Sequence, residues 1–203
     1  MNMAYNRIPV LIALILAALT LSSCTTVAVK AWEDRSTTDQ KIDTQIHTGI
    51  LNRLTDKDKG LLLDVSLDVW EQRVMITGTL DDSAVHADVI KLAQQDDRIK
   101  TFYDHIQIVS KAEKDKRREQ NEAKKEDEGG AVTDFWIETK IKAQLLTTQN
   151  VTSVNFFYRS VLNKVYVIGK AKSQLEKDLV LNVIRTTKGV SSVTEHINVS
   201  ASS

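Results

Sequence analysis

The residues able to do chemistry in this chain are few and poorly placed for it. His47, His86, His105 and His196 stand at no metal-ligand spacing from acids, and there is no H-E-x-x-H, glycine-rich phosphate loop or nucleophile elbow. His105 and His196 recur as D-H-I and E-H-I. That recurrence reads as a repeated strand position in preference to a pH-sensitive pair. Asp56, Asp58, Asp64 and Asp68 are dense enough to suggest a cation, but they lack the glycine and closing glutamate of a calcium loop. They read as solvated charge. Cys24 is the only cysteine, which excludes an internal disulfide and a Cys-based zinc site. Neither an enzyme, a metal site nor a cofactor is expected.

The context of Cys24 assigns it a different role. Arg7 precedes an apolar run from Ile8 to Leu21, shorter than the roughly 20 residues of a membrane-spanning helix. A charged start, a short apolar stretch and small residues before a cut describe a secretory signal. Ser22 and Ser23 lead into Cys24 as L-S-S-C, which resembles the lipobox of bacterial lipoproteins. The resemblance implies diacylglycerol on Cys24, cleavage before it and loss of residues 1–23, with no cysteine left for nucleophilic catalysis. Each acyl methylene in a bilayer contributes about 0.8 kcal/mol, so several chains anchor durably. Thr25 stands where Asp would retain such a protein at the inner membrane, so the resemblance implies the periplasmic face of the outer membrane. The alternative is an ordinary signal peptide followed by an unrelated cysteine.

The remaining sequence reads as a duplicated α+β unit. A shift of 91 residues aligns Val74 with Val165, Gly78 with Gly169, Val89 with Val180, His105 with His196 and Ile106 with Ile197, without a gap. Each copy opens with a helical stripe, Ile42, Ile46, Ile50 and Leu54 in the first, Ile137, Ile141 and Leu145 in the second. Asp39 and Asp134 stand where a cap or first-turn acid is favourable. Two strands follow in each, Leu63 to Val69 with Arg73 to Leu80, and Ser153 to Ser160 with Lys164 to Ala171. Val65, Leu67 and Val69 alternate with polar residues, as a half-buried strand requires. A second helix, about Ser83 to Gln95 and Gln174 to Thr187, leads to a last strand, Tyr103 to Val109 and Ser192 to Val199. Gly78 and Gly169 lie inside strands, where a missing Cβ permits a bulge or close packing. The expected architecture is two αββαβ sandwiches, each with both helices on one sheet face.

That order, the strand glycine and the closing segments I-K-T-F-Y-D-H-I-Q-I and V-S-S-V-T-E-H-I-N-V resemble the BON domain. Together with the lipobox they resemble the dual BON-domain lipoproteins of the bacterial outer membrane. The resemblance is closest along W-I-E-T-K-I-K-A-Q-L-L-T, Trp136 to Thr147. It divides the chain into a signal peptide 1–23, a lipid tether 24–38, a first module 39–110, a linker 111–130 and a second module 131–203. It further implies a non-catalytic, phospholipid-binding role in membrane integrity.

Composition fits one or two small domains, at 42% apolar and 27% charged residues, and 27 basic residues balance 27 acidic ones. The halves differ, because residues 39–110 hold 8 basic against 13 acidic side chains and residues 131–203 hold 9 against 5. Such asymmetry bears on partners more than on fold. The linker carries seven charges of each sign, with Gly129 and Gly130 as a hinge. It reads equally as an exposed helix held by charge pairs or as a mobile tether.

The sharpest functional signal lies in the first helix of the second copy. At 100 degrees per residue, Phe135, Trp136, Thr139, Ala143 and Leu146 fall away from the core stripe, bordered by Lys140 and Lys142. An amphipathic aromatic beside lysines suits an anionic membrane surface. Matching the two first helices by a shift of 95 places Gln40, Lys41, Thr44 and Thr48 opposite Phe135, Trp136, Thr139 and Ala143, and Leu51 opposite Leu146. The resemblance implies phospholipid contact through this helix at Trp136, Lys140 and Leu146, whereas Phe135 departs from the family pattern. Packing on the first module, on the linker or on another subunit stays open as the alternative, as does an envelope adaptor that grips another protein. An anionic phospholipid membrane and envelope proteins are the expected partners, and no nucleic acid is expected.

Overall fold

Two short antiparallel hairpins, each closed by a parallel third strand, organise the chain. The computed structural model describes residues 33–123 and 133–201. The expected signal peptide, Cys24 and most of the tether lie outside the described residues, as do residues 124–130 of the linker and 131–132 of the second module. In chain order the elements are α1 (Thr37–Lys57), α2 (Leu61–Asp64), β1 (Val65–Trp70), β2 (Arg73–Leu80), α3 (Ser83–Ala93), β3 (Thr101–Ile108), α4 (Lys111–Ala123) and α5 (Asp134–Thr147). A single 3-10 turn (Ser153–Asn155), β4 (Phe156–Val161), β5 (Lys164–Ala171), α6 (Gln174–Thr186) and β6 (Ser192–Val199) follow. The sheets run β1-β2-β3 and β4-β5-β6. In each, the first pair is antiparallel and the second parallel, and the parallel pair takes the helical crossover it requires.

The fold is therefore α+β with two three-stranded sheets, and the 91-residue shift holds throughout. Val65 pairs Gly78 as Phe156 pairs Gly169, and Gly78 pairs Ile106 as Gly169 pairs Ile197. Both glycines allow a close backbone approach. A Cβ on Gly78, which sits at φ +145, would lie 2.2 Å from the Asp64 carbonyl, and one on Gly169 would lie 2.1 Å from that of Asn155.

Three strands differ in bounds from the sequence expectation: β3 runs Thr101–Ile108 where the pattern predicts Tyr103 to Val109, and β1 and β4 each start later. Leu63 and Asp64 belong to the short helix α2, and Ser153 to Asn155 form the 3-10 turn. The local reason is an Asx turn, in which the Gly60 amide donates to Asp58 Oδ1 at 2.7 Å and starts the chain coiling. Leu61 then enters the core while Leu62 and Leu63 stay exposed, so strand-like alternation ends there.

Each sheet packs one face on its own helices. Ile46, Ile50 and Leu54 of α1 meet Val65, Leu67, Val74 and Ile76, as Ile137, Ile141 and Leu145 of α5 meet Phe156, Val165 and Val167. The other face of each sheet covers its counterpart. Trp70, Met75, Val161, Tyr166 and Ile168 form a third core, with Trp70 edge-on to Phe157 at 5.5 Å. The alternation of β1 and β2 therefore reports two buried faces, and Asp68, Arg73, Thr77 and Thr79 are all buried. From Arg35 onward the described residues make one compact unit.

Of the linker, Lys111–Ala123 is helical, and it is pinned to both repeats. Lys114 pairs with Asp81 at 2.5 Å, Arg118 with Asp64 at 2.7 Å and Arg117 with Asp134 at 3.1 Å. A mobile tether does not describe this part.

Candidate functional site

The first helix of each repeat is positioned by one buried aspartate. Asp43 accepts from the amides of Glu71 and Gln72, both at 2.7 Å, and Asp134 from those of Leu162 and Asn163, both at 2.9 Å. These are the two-residue turns of the β1–β2 and β4–β5 hairpins. Their residues have φ of 49, 65, 52 and 64 degrees, the left-handed region that such turns need and that asparagine and glycine usually supply. Here a carboxylate binds both amides and holds side-chain-bearing residues in that conformation. An arginine completes each latch. Arg35 donates to Asp43 and the Val69 carbonyl, at 2.8 and 3.1 Å, while Arg117 donates to Asp134 and the Ser160 carbonyl, at 3.1 and 3.4 Å.

This latch fixes the register of the two helices and corrects the sequence alignment. Asp43 corresponds to Asp134, so the shift along the helices is 91, not 95. A four-residue slip turns a helix by only 40 degrees beyond a full turn and leaves the apolar stripe in place, which is why it passed unseen. In the true register Phe135, Trp136, Thr139, Lys140, Lys142, Ala143 and Leu146 stand over Thr44, Gln45, Thr48, Gly49, Leu51, Asn52 and Thr55. The contrast between a polar first helix and an apolar patch on the second survives. The residue expected to match Leu146, Leu51, instead faces Lys142.

The residues singled out on α5 divide into two groups. Thr139, Lys142, Ala143 and Leu146 are exposed, Leu146 by 64%. Phe135 and Trp136 are half-buried and meet edge to face at 5.8 Å, and Lys140 is likewise half-buried. The indole Nε1 of Trp136 is buried, with no acceptor among the described residues. The aromatic pair is thus less outward than the helical wheel implied, and the fully displayed apolar side chain is at the C-terminal end of α5. Because the repeats meet through their sheets, this helix face takes no part in the sheet-to-sheet contact.

Behind the patch, the core side of α5 holds Glu138, which accepts from the Ser160 amide at 2.8 Å. Burial pushes its carboxyl up despite that hydrogen bond and nearby Arg159. Tyr158 is pushed up to about 12, chiefly by burial and then by the Glu138 charge.

A second polar constellation, which the sequence reading set aside, lies where the sheets meet. Asp68 and Arg159, 91 residues apart, form a two-pronged ion pair with both contacts at 2.8 Å. His105 and His196, also 91 apart, place their Nε2 atoms 2.8 Å from each other. Equivalent residues touch across an approximate twofold relation between the repeats. Arg73 crosses the seam and donates to the carbonyls of His196 and Gly169, at 2.7 and 2.8 Å. The recurrence at 91 was the signal available for the histidines, and the opposite charges of the two halves were the signal for Asp68 with Arg159. Among the described residues no group of three or more His, Cys, Asp or Glu is placed to hold a metal ion.

Residues 133–201, from the N-cap of α5 to just beyond β6, match the family model described as the BON domain. The chain is also 27% identical over 138 residues to an Anaplasma centrale protein described as an uncharacterized protein in the gshII 5′ region. That similarity covers 68% of this chain and 83% of the relative. Among solved structures, it is similar to CdsD, a structural protein of the type III secretion system of Chlamydia trachomatis, at 9% identity and a TM-score of 0.31. There 76% of this chain and 92% of that one are covered. The C-terminal domain of CdsD gives 12% identity and a TM-score of 0.28, over 74% of this chain and 64% of that one.

Proposed function

We propose that this protein is a lipid-anchored, dual BON-domain protein of the bacterial outer membrane that binds anionic phospholipid through the outward face of α5. In this reading Cys24 carries the acyl anchor, the second repeat supplies the contact surface and no catalysis takes place. The observation that carries it is the unequal pair of helices. At seven register-matched positions α1 presents one leucine among polar residues and glycine, whereas α5 presents Phe135, Trp136, Ala143 and exposed Leu146 with Lys140 and Lys142. Apolar side chains rimmed by lysine suit the headgroup boundary, and each basic residue near an anionic surface contributes about 1 kcal/mol.

The half-burial of Trp136 sets the order of the expected contributions. Leu146→Glu should weaken binding to phosphatidylglycerol vesicles most, by about 2 kcal/mol, since it removes an exposed apolar contact and adds repulsion. Trp136→Ala should weaken it by about 1 kcal/mol, because only part of the ring is free to insert. Vesicle co-sedimentation with phosphatidylglycerol or phosphatidylcholine, alongside a melting curve for each variant, measures this. Folded Leu146→Glu protein that binds phosphatidylglycerol as tightly as the parent sinks the proposal and leaves the face to a protein partner.

A further inference from the structure

The seam between the sheets carries a device that the lipid-facing helix does not use. His105 of β3 and His196 of β6 meet head-on. Their rings lie 13 degrees from parallel with centroids 5.1 Å apart, while the Nε2 atoms are 2.8 Å apart. The centroid separation exceeds the nitrogen separation by about the two ring radii, so the nitrogens point at each other along one line. That geometry fits one N–H donating to one lone pair. It does not fit two lone pairs converging on a metal ion, which would meet at an angle. Tyr103 stacks on His196 at 3.5 Å between centroids, and Tyr166 stacks on His105 at 4.3 Å. The result is two face-to-face pairs, each with one ring from either repeat, joined edge to edge by the histidines.

We propose that the His105–His196 pair is an acid-sensitive clasp: while the rings are neutral, one N–H donating to the other ring's lone pair holds the two sheets together, and protonation of both rings separates the repeats. Protonation of both rings removes the only acceptor in the contact and sets two imidazolium charges at hydrogen-bond distance. The groups around the pair do not compensate. Asp104 on β3 is engaged by His86 of α3 at 2.8 Å, and Glu195 on β6 by Lys177 of α6 at 2.8 Å. Arg73 on β2 adds positive charge at the His196 carbonyl. On β5, Tyr166 offers a ring face and takes a hydrogen bond from Gln107 of β3, whose own carbonyl accepts from Lys164.

The protonation equilibria run the same way. Burial lowers His105 against the opposing pull of Asp104, and His196 is lowered to about 4, by burial first and then by His105, with Glu195 opposing and Arg73 adding. Both histidines regain ordinary values near 6.5 once the sheets part. The separated state therefore binds more protons, and the docked state loses stability as pH falls from about 6.5 toward 4.

The test uses the full lipidated chain in detergent, with nitroxides at Lys91→Cys on α3 and Arg185→Cys on α6, the outer helices of the two repeats. Dipolar distance measurements between pH 7.5 and 4 should show a longer population appearing below pH 6. In the same chain carrying His105→Gln and His196→Gln, that change should move at least one pH unit lower. An unchanged distance at pH 4, or the same midpoint in the double variant, overturns the proposal. If the double variant does not fold, NMR titration of the parent decides. Two imidazoles titrating independently at the ordinary value overturn the clasp, and depressed, mutually dependent titrations support it.

Discussion

The first and second repeats fold the same hairpin onto the same aspartate, yet they turn different surfaces to the outside. Inside, the correspondence is close: Asp43 and Asp134 each bind two turn amides, and Arg35 and Arg117 each pair with that aspartate and reach the matching strand carbonyl. The two arginines are 82 residues apart in a repeat of 91. They come from different elements, one just before α1 and one from the strap helix α4. The requirement for a cation at that carboxylate has thus been met twice by separate routes. Outside, α1 is polar where α5 is apolar. The interior of a repeat is constrained by packing and by the need to pair buried charge, whereas its surface is free to specialise.

The strongest way to break this comparison is to remove the latches. Asp134→Ala should unlock α5 from the β4–β5 turn, leave two amides unpaired at left-handed residues and strand Arg117. A loss of about 3–5 kcal/mol is expected, since breaking a buried pair by deleting one partner exposes the full desolvation cost of the other. Asp43→Ala should match it within about 1 kcal/mol if the repeats are equivalent inside. Urea unfolding of both variants measures the difference. A loss below about 1 kcal/mol for either would show that the turns hold themselves.

Much of this frame is legible in the sequence, and what is not has a physical cause. The gapless 91-residue shift, the strand glycines and the core stripes of both first helices follow from apolar period alone. The latch does not, because an aspartate at the head of a helix has the composition of a cap. Asp134 does open α5, but its carboxylate serves a distant hairpin. The second buried sheet face was hidden for a related reason. Asp68, Thr77 and Thr79 are polar enough to read as solvent-facing, yet they are buried, and the other repeat brings Arg159 to Asp68. On α5 the exposed Leu146, Ala143, Lys142 and Thr139 could be read from the helical wheel. The half-burial of Trp136 depends on what lies beside the helix, which a wheel does not contain.

The contact at Asp68 and Arg159 offers a finer test, of whether the opposite charge of the two halves serves their mutual packing. Arg159→Ala leaves Asp68 buried at 6% exposure without its partner. The cost should be about 2 kcal/mol, reduced from the fully buried case because the arginine side chain is 37% exposed. The paired replacement Asp68→Leu with Arg159→Leu should recover most of that loss, since apolar residues of similar volume often replace a buried pair without penalty. A double-mutant cycle by thermal unfolding gives the coupling. Additive losses from the two single variants would show that the residues do not act as a pair.

The smallest expected effect concerns the position where the repeats differ in charge behind the helix, Glu138 in the second and His47 in the first. Glu138 is placed to accept from the Ser160 amide, yet burial raises its carboxyl, so the folded state holds a proton there more tightly than the unfolded chain. A raised carboxyl pKa in the fold means that stability from this group is present at low pH and is lost as pH rises through the folded value. At neutral pH the ionised carboxylate is therefore a burden on the fold. Glu138→Gln keeps an acceptor for Ser160 and removes the charge, so it should raise the melting temperature at pH 7 by a small amount, and that gain should shrink as pH falls toward 4. Melting curves of the variant and its parent at pH 4, 5.5 and 7 measure this. A Glu138→Gln protein that melts below the parent at pH 7 would mean that Arg159 and the amide together outweigh burial, and that the second repeat is held by this charge where the first needs none.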